Sequence, residues 1–203
     1  MQSARDPGDA RERWNRRWEG RDVPALTRAP ARWLAEHRDL LVAPRGGAGR
    51  ALDVACGDGR NAAFLAQLGF AVDAVDVSDV AIDAVAAAAT ERGLTIAARR
   101  VDLQRDPLPA GPFDVVVVFN YLQRDLFAAL EAALAPGGVL VYETFTRAHT
   151  QELGHDVDRR YLLAPGELRA AFPSLEVVRY REAIDDRGGH PRAVAGLVAR
   201  RPA

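Results

Sequence analysis

Lysine is missing from this 203-residue chain, so arginine supplies all 27 basic side chains. Against 28 acidic residues they leave a formal net charge of −1, which excludes a global field drawing the chain to nucleic acid or to an anionic membrane. The excess of arginine and alanine reads as genomic base composition and carries no chemistry of its own. Cysteine occurs once, at Cys56, which excludes an internal disulfide and a cysteine-cluster zinc site. His149 and His155 lack the i, i+4 spacing and the acidic partner of a metal pair, so no metal is expected. Long apolar runs are missing too, since nothing reaches the roughly 18 residues of a membrane-spanning helix. The N-terminal MQSARDPGDARERWNRRW is charged where a signal peptide is apolar. A soluble, cytoplasmic protein is expected.

What is present is an alternation of strand-like and helix-like segments from about residue 50 onward. Strands are expected at 51–55, 70–77, 95–101, 113–119, 139–144, 175–181 and 193–199. Residues 113–119 contain four consecutive valines, the continuous β-branched run of a strand buried on both faces. Helices are expected at 61–68, from the cap Ser78 to Arg92, at 124–134 and at 165–172. Two more, at 9–19 and 31–41, precede the core. The last two strands flank Asp185-Asp186-Arg187-Gly188-Gly189, a turn-rich segment suited to an antiparallel hairpin. The expected fold is therefore α/β, a Rossmann-like doubly wound sheet of seven mostly parallel strands with N-terminal helices before it. One domain over 1–203 is expected, with a helical cap at 1–45 and the core at 50–203.

The segment Asp53-Val54-Ala55-Cys56-Gly57-Asp58-Gly59-Arg60 lies between the first strand and its helix, where a doubly wound sheet opens its ligand crevice. Gly57 and Gly59 allow a sharp turn and a close backbone approach. With Ala62 they satisfy the G-x-G-x-x-G/A spacing of a dinucleotide site, and Asp76 follows at about the expected 20 residues. A nicotinamide-dependent oxidoreductase is thus one open reading. Against it, Asp53 places a carboxylate where a pyrophosphate would lie, and would instead attract a cationic ammonium. Asp102 and Leu103 follow the third strand, where a carboxylate and a backbone N–H suit an adenine edge.

These residues, with the Pro136-Gly137-Gly138 turn and the terminal hairpin, resemble the class I S-adenosylmethionine-dependent methyltransferases over nearly the whole chain. The resemblance implies that the last strand is inserted antiparallel beside the fifth. It implies S-adenosylmethionine as cofactor and S-adenosylhomocysteine as product. The loop with Asp53, Ala55, Cys56, Gly57 and Gly59 would surround the methionyl moiety, Asp76 with Val77 would meet the ribose, and Asp102 with Leu103 the adenine. Asn120, ending the fourth strand, would face the transferable methyl group. Ala55 stands where the family commonly has its first glycine. Trp14-Asn15-Arg16-Arg17-Trp18 is similar to the N-terminal aromatic element of small-molecule enzymes of the thiopurine and tellurite-resistance types, which implies that Trp14, Arg17 or Trp18 covers the cofactor. A non-catalytic, cofactor-binding regulatory module is a further reading.

Methyl transfer from a sulfonium is an in-line displacement in which alignment supplies much of the acceleration. Acceptor-side residues are sought at the C-terminal ends of strands four and five, where Tyr121, Arg124 and Glu143 are the candidates. The long 145–164 connection, holding His149, Gln151, His155, Asp156 and Tyr161, reads as an acceptor-binding lid. A small-molecule acceptor is expected, with no membrane or nucleic-acid partner.

Overall fold

The computed structural model describes residues 8–20, 24–41, 49–186 and 190–203. The helices are α1 (Gly8–Glu19), α2 (Arg32–Glu36), α3 (Arg60–Gln67), α4 (Asp79–Glu91), α5 (Phe127–Ala132), α6 (Ala148–Gln151) and α7 (Glu167–Ala170). The strands are β1 (Arg50–Val54), β2 (Ala71–Asp76), β3 (Ile96–Arg100), β4 (Phe113–Phe119), β5 (Leu134–Phe145), β6 (Glu176–Asp186) and β7 (Pro191–Arg200). Among the described residues the sheet has seven strands in the order β3-β2-β1-β4-β5-β7-β6. No helix of the described residues is long and apolar enough to cross a membrane. The chain divides into two compact units, residues 1–35 with 43–109 and residues 36–42 with 110–203.

In the first unit β1, β2 and β3 are parallel. Ala51, Leu52 and Val54 of β1 and Val72, Ala74 and Val75 of β2 are buried, which accounts for their continuous apolar character. Helix α4 begins at Ser78, whose hydroxyl oxygen accepts from Ala81 N at 3.3 Å. This satisfies one of the amides that a helix start leaves without a partner.

In the second unit β4 and β5 are parallel, while β7 is antiparallel to β5 on one side and to β6 on the other. The insertion of β7 beside β5 agrees with the expected topology. Val115, Val116, Val117 and Val118 are buried. Phe127, Tyr142 and Phe172 form an aromatic cluster with centroids 5.2–6.2 Å apart.

Several boundaries differ from expectation. The helix expected at 124–134 opens with a 3-10 turn, Arg124–Leu126, and its α-helical part is only α5. The guanidinium of Arg124 is tied to Glu167 and to the carbonyls of Arg160 and Leu162, so tertiary bonds fix that first turn. The helix expected at 165–172 shrinks to the single turn of α7, between a left-handed Gly166 and Pro173, and a residue preceding proline is disfavoured in helix. Strand β5 starts earlier than expected and takes in Pro136-Gly137-Gly138, because Gly137 N donates to Arg201 O and Arg201 N to Gly138 O, each at 2.9 Å. Strands β6 and β7 both extend beyond their expected ends. The expected hairpin turn at 185–189 lies partly outside the described residues.

Candidate active site

The end of β1 delivers Asp53 into the interior, 1% exposed. Its Oδ2 has no hydrogen-bond partner. Burial pushes its pKa up to about 8, against the pull of the Ala62 N–H and the Arg60 charge, and Asp76 and Asp58 push the same way. A buried carboxylate with an unsatisfied oxygen carries a desolvation penalty that an incoming cation would relieve.

The loop after Asp53 is built on left-handed backbone, with φ of 55° at Ala55, 56° at Gly57 and 71° at Gly59. At Gly59 a Cβ would stand 2.5 Å from Leu26 Cδ2 and 2.9 Å from Val85 Cγ2, so glycine there serves close packing as well as conformation. Cys56 is buried, and burial with the charges of Asp53 and Asp76 pushes its thiol up. It packs as a small hydrophobe. Asp76, ending β2, ties the loop to the start of α4: Oδ2 accepts from Gly57 N and Oδ1 from Ser78 N, each at 3.0 Å. Burial raises the Asp76 pKa against the pull of the Ser78, Gly57 and Val77 amides. Each of its oxygens has a second lone pair for another donor. Beyond β3, Asp102 Oδ1 accepts from Gln104 N at 3.1 Å, and Leu103 is buried.

Helix α1 docks on this loop. Asn15 Oδ1 accepts from the Ser78 hydroxyl at 2.7 Å, and Arg11 pairs with Asp79. The ring of Trp18 covers Gly57, with Cζ2 2.7 Å from where a Cβ would stand. Trp14 and Arg17 are turned toward each other, the guanidinium 5.4 Å from the indole centroid. Of the three leader residues expected at the loop, Trp18 is the one in contact with Gly57.

In the second unit, Asn120 ends β4 in the left-handed region at φ 56°. Its N–H donates to Glu143 O at 3.0 Å, and its Oδ1 accepts from Arg192. The Tyr121 hydroxyl donates to Gln123 Oε1 at 2.5 Å. Tyr142 is buried, its hydroxyl bonded to Tyr121 O at 3.0 Å and held protonated by that burial. Arg124 grips Glu167 through both carboxylate oxygens, a clamp on the 159–167 segment. Glu143 is 1% exposed, with Arg181 2.8 Å from its Oε2. An arginine partner is one of the options a strand-end carboxylate such as Glu143 has, but that the partner is Arg181, and that Arg124 pairs with Glu167, was not legible in the sequence. Arg192 was missed as well, although the expected antiparallel placement of the last strand puts its first residues beside the end of β5.

Comparison with known proteins gives a consistent result. Residues 51–138 match the family model described as "Methyltransferase domain". A curated relative, the ubiquinone biosynthesis O-methyltransferase of Caulobacter vibrioides, is 33% identical over 164 residues, 70% of this chain and 64% of that protein. The chain spans less than two thirds of the length of curated relatives it matches, 41% of one ubiquinone biosynthesis O-methyltransferase and 64% of another. Among solved structures, the N-methyltransferase NodS of Bradyrhizobium japonicum in complex with S-adenosyl-L-homocysteine has a TM-score of 0.68 at 22% identity, covering 96% of this chain and 100% of that one. TehB of Haemophilus influenzae has a TM-score of 0.69 at 18% identity, covering 83% and 61%. At these identities the structural likenesses establish the fold.

Proposed function

Since this chain belongs to the class I S-adenosylmethionine-dependent methyltransferases, we propose that it binds S-adenosylmethionine and methylates a small-molecule acceptor in the cytoplasm. The observation that carries the proposal is the buried, unpartnered Oδ2 of Asp53, a ready acceptor for the ammonium of a methionyl group. An ammonium would stabilise the ionised form of this carboxyl, whereas the phosphates of a dinucleotide would meet that form with like charge, so the nicotinamide reading fits the glycine spacing but not the charge.

In this reading the left-handed loop at Ala55, Cys56, Gly57 and Gly59 wraps the methionyl portion, and Asp76 accepts from the ribose hydroxyls with the lone pairs its amide partners leave. Asp102 and Leu103 border the adenine, Trp18 covers the loop, and Asn120 stands on the acceptor side. When bound, S-adenosylmethionine supplies a methyl group already activated on a sulfonium. The chain's own task is then to align and to exclude water, which accounts for much of the acceleration in such displacements. Tyr121 remains the acceptor-side hydroxyl of the proposal, while Arg124 and Glu143 support the acceptor face through their ion pairs.

Isothermal calorimetry with S-adenosylhomocysteine, and separately with NADH, tests this assignment. Micromolar binding of the former alone is expected. Binding of NADH alone would overturn it, and affinity for S-adenosylhomocysteine without turnover across a broad acceptor panel would favour a regulatory module.

A further inference from the structure

We propose that Arg192, together with Asn120, anchors an oxyanion, a carboxylate or phosphate group, on the small molecule that is methylated. The inference rests on the methyltransferase reading above and adds to it a chemical class of acceptor. It starts from strand register. Strand β7 runs antiparallel to β5 with Val194 opposite Phe145, and Arg192 lies opposite Asp185 of β6. Arg192 therefore projects from β7 just past the last residue of β5, at the C-terminal edge of the parallel strands. In open α/β sheets this edge is where ligands bind.

At that edge the guanidinium is held in one orientation. It lies 4.6 Å from the centroid of the Phe145 ring and donates to Asn120 Oδ1. Phe145 is in turn braced by His149, whose ring centroid is 4.4 Å away, and His149 by His155 at 4.3 Å in a nearly parallel stack. His149 is buried, and its Nδ1 faces Ala193 N at 3.4 Å. Burial, then the neighbouring His155 and Arg192, lower the His149 pKa from its ordinary value. Arg181 reaches two carboxylates of this edge, Glu143 and Asp185.

A positioned guanidinium presents a planar fork of donors that matches the two oxygens of a carboxylate or phosphate. Because Asn120 turns its carbonyl oxygen to Arg192, its amide nitrogen adds two more donors at the same edge. Asn120 sits in the left-handed region at φ 56°, a conformation that asparagine adopts more readily than most residues with a side chain. Two groups that donate hydrogen bonds thus converge on a braced aromatic support, an arrangement that selects an anion and rejects a neutral isostere of the same shape.

The test uses benzoate and phenyl phosphate as probes, with benzamide as the neutral control, each titrated into the full-length protein while the imidazole NMR resonances of His149 and His155 are followed. Saturable shifts are expected with at least one of the two anions and at least tenfold weaker binding of benzamide. Arg192→Met should abolish the anion response and Arg192→Lys retain part of it. Equal responses to the charged and neutral probes, no response to either anion, or an anion response surviving Arg192→Met would overturn the proposal. S-adenosylhomocysteine is titrated into the same samples. Loss of its binding with the anion response intact would sink the methyltransferase reading alone, and the converse would sink only the role of Arg192.

Discussion

Glu143 and Arg181 belong to strands that are not neighbours, yet their side chains meet at 2.8 Å. Strand β7 lies between them, and the residue opposite both is Gly196. Residues directly opposite in antiparallel strands share a face, so the arginine crosses β7 at the one position in that row without a side chain. Arg181 also approaches Asp185 at 3.4 Å, which makes the pair a small buried network.

Removing the carboxylate should leave the Arg181 charge in a poorly solvated place. Loss of one partner of a buried pair costs about 3 kcal/mol, so urea denaturation of Glu143→Ala should show a loss of that order, with Glu143→Gln losing less. Gly196→Val should match the alanine variant by placing a branched side chain in the path of the arginine. A stability loss for Gly196→Val that adds fully to that of Glu143→Ala in the double variant would contradict the bridge.

The Asp53 carboxyl makes cofactor affinity depend on pH in a definite direction. With a pKa of about 8 in the free protein, it is protonated near pH 6.5 and must lose that proton to pair with an ammonium. S-adenosylhomocysteine should therefore bind more tightly as pH rises toward 8 and release a proton on binding, measurable by calorimetry in buffers of different ionisation enthalpy. The stability of the free protein should move the opposite way. The folded state holds a proton that the unfolded chain gives up above its ordinary value of 3.8, so this contribution is complete at low pH and disappears as pH climbs to about 8. Asp53→Asn should flatten both dependences.

Gly57 combines positive φ with the overlying Trp18. Placing alanine in the left-handed region costs about 1 to 2 kcal/mol, and the indole contact should add to that. Thermal melts of Gly57→Ala in the native background and in Trp18→Ala should give a smaller loss in the second. Equal losses would remove Trp18 from the loop.

The Arg124 clamp predicts an acid-sensitive contribution. Burial pushes the Glu167 pKa up, but the Arg124 hydrogen bonds and the Ala164 N–H outweigh it and leave the pKa below the ordinary carboxylate value. The stabilisation is thus present above the ordinary value and lost as pH falls through the lowered one. Both side chains are partly exposed, so Glu167→Gln should cost only about 1 kcal/mol at pH 7, and progressively less as pH falls below the ordinary carboxylate value, as read by guanidinium denaturation.

The sequence made most of the architecture legible, since burial on both faces writes itself into β4 as a valine run, and the loop at Gly57 and Gly59 announces itself by spacing. Asp53 was readable because a carboxylate at the end of a buried strand needs a reason. The pairing of Arg181 with Glu143, the stacking of Arg192 on Phe145 and the seat of Trp18 over Gly57 were not readable. Each joins residues at least 38 positions apart, and in a chain with 27 arginines composition does not single out the two that matter. Helix length failed at 124–134 and 165–172 for a related reason, since tertiary bonds and Pro173 overrode local propensity.

Among the described residues β6 has one sheet neighbour, β7, and no ladder to β5. Whatever detaches β7 detaches β6 with it, and takes Arg181 and Arg192 from their partners in the same event. The amides of β6 should then never outlast those of β7 in hydrogen exchange. Partial unfolding at this edge would therefore remove Arg192 from Asn120 and Arg181 from Glu143 together, while β4 and β5 stay paired.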